Sequence, residues 1–267
     1  MERAAGLAYR SAGDSAERVA LLVHGVPESS YMWRGVLPAL ADAGWRAVAP
    51  DLAGYGDSEA DPPATWERHV ASLERFVQEL GLGPVALVTH DWGVAIGLRW
   101  ACHHPGSVTA LAISDGGFFA DREWHDAAKV MRTPEVGERF VDAFTRETLG
   151  AALQTLSTGM TDAALDEYWR PYADEERRRA ILELYRSGDF EKLVPYEGCV
   201  AALGVPALVV WGARDPFAGV QLAHRFHAEL PGSELVIVDD AGHFVWEDAP
   251  EQTTRALVDF LQRRCAV

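Results

Sequence analysis

The chain of 267 residues is long enough for one large domain, or for a core carrying an insertion. Its 48% hydrophobic and 24% charged residues are ordinary for a globular protein. A formal net charge of −16 repels phosphate backbones and anionic lipid, which argues against nucleic acid or a membrane surface as a partner.

The first residues, "MERAAGLAYR", carry no apolar stretch of signal-peptide type, and no run approaches the roughly 18 apolar residues of a membrane span. Three cysteines, Cys102, Cys199 and Cys265, are few, odd in number and widely spaced. They fit a reducing cytoplasm and lack metal-ligand spacing, so the expectation is a cytoplasmic protein without a metal. A monomer or homodimer is expected.

In chain order, buried strands are predicted at Val19–Gly25, Arg46–Asp51, Val85–His90, Val108–Ser114, Ala207–Gly212 and Glu234–Asp239. Most are apolar throughout, as parallel strands covered on both faces must be. Between them, Val70, Leu73, Phe76, Val77 and Leu80 form one helical stripe, and Gly81 suits the position just past the helix end. Another helix follows Asp91 and stops before Pro105, and a last one starts near Pro250 with Glu251 in its first turn. Strand–helix alternation of this kind predicts an α/β fold with a mostly parallel sheet and right-handed crossovers.

The alternation stops between about Phe118 and Val200. Helical stripes replace it: Val136, Phe140, Val141 and Phe144, expected to end at Gly150; Leu165, Tyr168 and Trp169; and Ile181, Leu184 and Tyr185, ending at Gly188. The expected organisation is a core of residues 1–117 and 201–267 with a helical cap of residues 118–200. The acidic start of "DEERRR", Asp174–Arg179, suits a helix N-terminus.

The chemistry concentrates at strand ends. In "THDWG", Asp91 sits at a strand-to-helix turn with Thr89 and Gly93 two residues away on either side. A nucleophile elbow needs small residues there because the turn is tight. Thr89 departs from that pattern, and an ordinary N-capping aspartate would look similar. Three further features fall in the order such a fold requires. Asp215 follows a strand in "ALVVWGARDP", His243 follows the next in "VDDAGHFVWED", and "LLVHGVPESS" places Val26 just past an early strand. Nucleophile, acid and base then read as Asp91, Asp215 and His243, with the N–H groups of Val26 and Trp92 as the oxyanion hole.

With "HGVPES", "DLAGYGDS", "HDWG", "WGARDP" and "AGHFVWEDAPE" in these places, nearly the whole chain resembles the α/β-hydrolase superfamily. The resemblance is to its aspartate-nucleophile branch of epoxide hydrolases and haloalkane dehalogenases, and the cap matches least. It implies a cofactor-free enzyme using water on a small apolar organic substrate. A carboxylate attacking an ester carbonyl would give a high-energy anhydride. At a saturated carbon it gives an ordinary alkyl ester, which a water activated by His243 can hydrolyse. The lead expectation is therefore epoxide hydrolysis through an Asp91 ester, with haloalkane dehalogenation as the alternative. A hydrolase homologue that only binds a ligand is a third, weaker reading.

The leaving group separates the first two. Tyr185, 30 residues before Asp215 in "ELYRSGD", resembles the second cap tyrosine of epoxide hydrolases. The first has no match, which leaves Trp124, His125 or Tyr168 as stand-ins. For a halide, Trp92 would be one donor. Many haloalkane dehalogenases carry an asparagine where Val26 sits, so Trp124 or Trp169 would have to supply the second. Haloacetate dehalogenases carry an arginine after the nucleophile; Trp92 in that place argues against small halo-acids. Asp115, 24 residues after Asp91, is an alternative partner for His243, because some members place their acid there.

Overall fold

A computed structural model describes residues 1–265. An eight-stranded sheet runs through its centre in the order β1-β2-β4-β3-β5-β6-β7-β8. The strands are β1 (Glu2–Ala4), β2 (Leu7–Ala12), β3 (Val19–Val23), β4 (Arg46–Pro50), β5 (Val85–His90), β6 (Val108–Ser114), β7 (Ala207–Gly212) and β8 (Glu234–Val238). From β4 to β8 every pairing is parallel; β1 and β2 pair antiparallel at one edge. That edge hairpin is absent from the expectations above. Its short strands carry mixed polar residues in place of an apolar run, so periodicity does not mark them.

Helices α1 (Val36–Asp42), α2 (Trp66–Glu79) and α3 (Trp92–His103) alternate with the first parallel strands. The α2 stripe is buried as its spacing predicts, and Gly81 has φ +58°, the left-handed geometry that ends a helix. Between β6 and β7 come α4 (Asp126–Arg132), α5 (Val136–Asp142), α6 (Arg146–Leu156), α7 (Asp162–Trp169), α8 (Glu175–Ser187) and α9 (Cys199–Ala202), with no strand among the described residues. One sequence expectation fails here: Gly150 lies inside α6 and ends no helix. The break falls earlier, at Thr145, whose hydroxyl caps α6 in a reciprocal box with Thr148. The acidic start of α8 behaves as expected, with the Asp174 carboxylate accepting from the Arg177 N–H. Helices α10 (Gln221–Glu229), α11 (Val245–Asp248) and α12 (Pro250–Arg264) complete the chain.

Cys102, in α3, forms a disulfide with Cys199, in α9. The expectation of reduced thiols is corrected for this pair; Cys265 is free. No helix among the described residues is long and apolar enough to cross a membrane.

The turn from β5 into α3 sets the geometry of everything at the strand ends. Asp91 has φ 50° and ψ −120°, a conformation that L-residues avoid. Neighbouring glycines accommodate it. A Cβ on Gly25 would lie 2.4 Å from the Asp91 side chain, and one on Gly93 would lie 2.3 Å from the Val23 carbonyl oxygen. Thr89, the departure from the small-residue pattern, is tolerated because α3 carries Gly97 opposite it. A Cβ on Gly97 would meet Thr89 Cγ2 at 2.8 Å. Thr89 Oγ1 donates to the Ala112 carbonyl at 3.1 Å, so the side chain also ties β5 to β6. Gly97→Ala should therefore destabilise by about 1–2 kcal/mol, the overpacking cost outweighing the helix-propensity gain. Thr89→Ser in the same chain should recover most of the loss, read from urea unfolding midpoints. Additive effects would contradict the pairing.

Candidate active site

Asp91, Asp115, Asp215, His243 and Val26 all stand just beyond the carboxyl ends of neighbouring strands, where open α/β sheets place their ligands. His243 Nδ1 donates to Asp215 Oδ2 at 2.9 Å, and His243 Nε2 lies 3.5 Å from Asp91 Oδ2. Asp215 is itself fixed, its Oδ1 accepting from the N–H groups of Phe217 at 2.7 Å and Ala218 at 3.0 Å. The other Asp91 oxygen, Oδ1, accepts from the Val26 N–H at 2.8 Å. Trp92 is the first residue of α3, so its N–H has no acceptor within the helix.

Of the two candidate acids, Asp215 is the one that meets His243. Asp115 Oδ1 accepts instead from the Gly212 N–H at 2.9 Å, and burial, reinforced by the Asp215 charge, pushes its carboxyl well up, into the neutral form. Burial also raises Asp91, but the hydrogen bond and charge of His243 outweigh it and hold Asp91 at about 2. Burial opposes charge on His243 too; Asp215 and Asp91 together overcome this and raise the imidazole well above its usual range. The resting pair is thus a carboxylate facing an imidazolium.

Beneath His243 lies a second buried layer that sequence patterning does not reveal. His90 Nε2 lies 3.4 Å from Glu28 Oε2, and the His90 ring is 5.3 Å from that of His243. Burial, with His243 adding to it, lowers His90 to about 3, and burial raises Glu28. Both are therefore neutral, which limits the cost of burying them. His90 is not among the residues that line the cavity, as strand alternation leads one to expect.

The cavity over Asp91 spans about 530 Å³ not filled by atoms, the solvent at its open mouth included. Tyr185, Trp124 and His125 line it together with Trp92 and His243. Trp92 and Trp124 are stacked, with ring centroids 5.8 Å apart, and the Tyr185 ring stands edge-on to Trp92 at 5.2 Å. Burial, reinforced by the Asp91 charge, raises the Tyr185 phenol well above its usual range, so it keeps its proton. His125 caps α4, its Nδ1 accepting from the Ala128 N–H at 3.2 Å. Burial lowers His125 to about 4, leaving a neutral ring whose proton must sit on Nε2.

Tyr168 and Trp169 do not belong to this group and are withdrawn as leaving-group donors. The Tyr168 hydroxyl donates to Glu247 at 2.6 Å, inside a network in which Arg34 also grips Glu247 through both guanidinium nitrogens at 2.7 and 2.6 Å. Trp169 instead packs under Arg178. Their helical spacing is that of a packed stripe, which reads the same in sequence whether or not it faces a cavity. Arg122, which lines the cavity, went unrecognised because it sits in a loop without periodicity, between two acids. No cluster of metal-ligating side chains occurs among the described residues.

The α/β-hydrolase-fold family model matches residues 19–250. A cis-3-alkyl-4-alkyloxetan-2-one decarboxylase of Xanthomonas campestris is 31% identical over 280 residues, covering 96% of this chain and 92% of the relative. Epoxide hydrolase A of Mycobacterium tuberculosis is 28% identical over 302 residues, covering 94% and 92%. Among solved structures, a haloalkane dehalogenase loop variant from Bradyrhizobium elkanii superposes with a TM-score of 0.85 at 27% identity, covering 97% of this chain and 94% of that one. By its strand order and by these matches, the chain belongs to the α/β-hydrolase fold family and is an enzyme of α/β-hydrolase type.

Proposed function

We propose that the enzyme opens a strained oxygen ring, an epoxide in the first instance, through an alkyl ester on Asp91. Residues 118–200 act as a cap over a core of residues 1–117 and 201–267, the last two of which lie outside the described residues. The observation that carries the reading is a buried, protonated Tyr185 sharing the cavity with an ionised Asp91. An epoxide oxygen leaves as an alkoxide and needs a proton donor, which a phenol supplies. His125 Nε2–H is the second donor, filling the role of the missing cap tyrosine.

The two Asp91 oxygens divide the work. Oδ2 forms the new C–O bond as the ring oxygen takes a proton from Tyr185. Oδ1, already at the Val26 N–H, becomes the ester carbonyl and then the oxyanion when water attacks. Esterification removes one of the two carboxylates that keep His243 charged. Its pKa falls, and the neutral imidazole, steadied by Asp215, can take a proton from the attacking water.

Haloalkane dehalogenation is the second reading, favoured by the stacked Trp92–Trp124 pair and by the likeness to solved dehalogenases. The Cys102–Cys199 bridge weighs against the cytoplasmic expectation, because disulfides persist chiefly in oxidising compartments.

His243→Ala should trap the ester, and intact-mass measurement with a panel of epoxides and haloalkanes should show adducts with epoxides. Adducts with haloalkanes alone would transfer the assignment to dehalogenation. Tyr185→Phe should cost epoxide turnover about 10²-fold, and an unchanged rate would return Tyr185 to packing. In the intact enzyme, rapid-quench mass spectrometry should find ester formation nearly level from pH 7 to 5, since Asp91 stays ionised down to about 2. Ester hydrolysis should slow as pH falls and His243 takes up its proton, so the esterified fraction rises. A steep loss of ester formation by pH 5 would contradict the ion-pair geometry.

A further inference from the structure

The cavity holds one cation that the reaction above does not use. Arg122 extends from the loop between β6 and α4 and lines the same cavity as Asp91 and Tyr185. In this chain acids outnumber Lys and Arg by 40 to 24, so arginines find partners readily. Around the cavity, Arg99 pairs with Glu67, Arg132 with Asp189 and Arg225 with Asp121. Asp121, next to Arg122, is thereby committed elsewhere. Among the described residues, Arg122 makes neither an ion pair nor a hydrogen bond, which leaves up to five N–H donors without a protein acceptor.

The guanidinium is nevertheless held in place. It lies over the Phe190 ring, 5.2 Å from the centroid, and Phe190 is stacked on Trp124 at 4.1 Å. A Cβ on Gly117 would come within 1.8 Å of Arg122 Nη1, so a glycine at 117 is what lets the group lie against the loop after β6. Packing thus covers the face of the guanidinium, while the N–H edges are what a ligand can use. Asp91 and Asp215 are the acids whose charge acts on it, and both have other duties: one holds the Val26 N–H and faces His243, the other binds His243.

We infer that Arg122 is a specificity determinant that binds a carboxylate borne by the substrate, so the natural substrate is an acid and not the wholly apolar molecule the sequence suggested. A planar carboxylate matches the fork of the guanidinium in two parallel hydrogen bonds. A single negative charge is also the charge one arginine balances; a phosphate dianion would bring excess charge beside ionised Asp91. The aromatic walls leave the rest of the substrate apolar. The inference rests on the Asp91 reading for the bond that breaks, but the binding of the acid does not depend on that chemistry.

The test uses an unreactive acid, 3-phenylpropanoate, and its primary amide, with calorimetry to measure binding. The wild type should bind the acid about 10- to 100-fold more tightly than the amide, the range expected for a charge-assisted pair. Arg122→Gln should abolish the preference and Arg122→Lys should keep part of it. Because Arg122 makes no hydrogen bond or ion pair and gives up at most its contact with the Phe190 ring, both variants should keep the fold, with urea midpoints close to that of the wild type. Equal binding of acid and amide by the wild type, or a preference that survives in Arg122→Gln, would overturn the inference. A parallel arm compares 3-phenylglycidate with its amide, and the ratio of their kcat/KM should fall by the same factor in Arg122→Gln. Equal losses on both would make Arg122 a leaving-group donor and reject the carboxylate. The two readings fail separately: a carboxylate preference without any adduct in His243→Ala removes the Asp91 chemistry, and neutral-epoxide adducts without a preference remove the role of Arg122.

Discussion

The structure depends on a close approach of backbones that only glycines permit. Asp91 is pressed into a left-handed conformation at the end of β5, with Gly25 on one side and Gly93 against the end of β3. Such strain costs on the order of 1–3 kcal/mol and persists only where the surroundings over-determine it. Here the surroundings are the apolar central strands and α3. In return, the carboxylate stands clear of the sheet with one oxygen on the Val26 N–H and the other facing His243. Nothing in the site would be in register without that turn.

The electrostatics follow from the same placement. Burial pushes every ionisable group in this region toward its neutral form, and the outcome for each is decided by its neighbours. Asp91, Asp215 and His243 face one another and stay charged. For Glu28, His90 and Asp115, one layer below, burial outweighs the contacts of His90 with the two acids, and it drives all three toward the neutral form. Two acids that look alike in sequence, Asp115 and Asp215, thus end in opposite states. Because Asp91 supports the charge on His243, its conversion to an ester would itself free the base for the second step.

Sequence reading reached the parts governed by strong local rules. The six parallel strands, the helix that ends before Gly81, the helix that starts at Pro250 and the residues at the strand ends all carry signals of periodicity or turn chemistry, although β8 at the sheet edge is half-buried where a buried strand was expected. The edge hairpin of β1 and β2 carries neither. Thr89 looked like a flaw in the elbow because its compensation, Gly97, lies eight residues on, in α3, and acts through space. The helical segment between β6 and β7 was the least legible part. A stripe such as Leu165–Tyr168–Trp169 declares a buried face without saying what it faces, and Tyr168 turned out to serve Glu247. Arg122 and the Cys102–Cys199 pair depend on contacts between distant segments, which a single sequence does not display.

The central claim is that a bond forms between substrate carbon and Asp91, and that water then attacks the ester and not the substrate. One turnover of excess enzyme on a single equivalent of epoxide in H₂¹⁸O reads this directly. The account predicts a product free of ¹⁸O and one labelled oxygen in the peptide that contains Asp91. Label in the product of that first turnover, with none in the peptide, would mean that water attacks the substrate itself, and would contradict it.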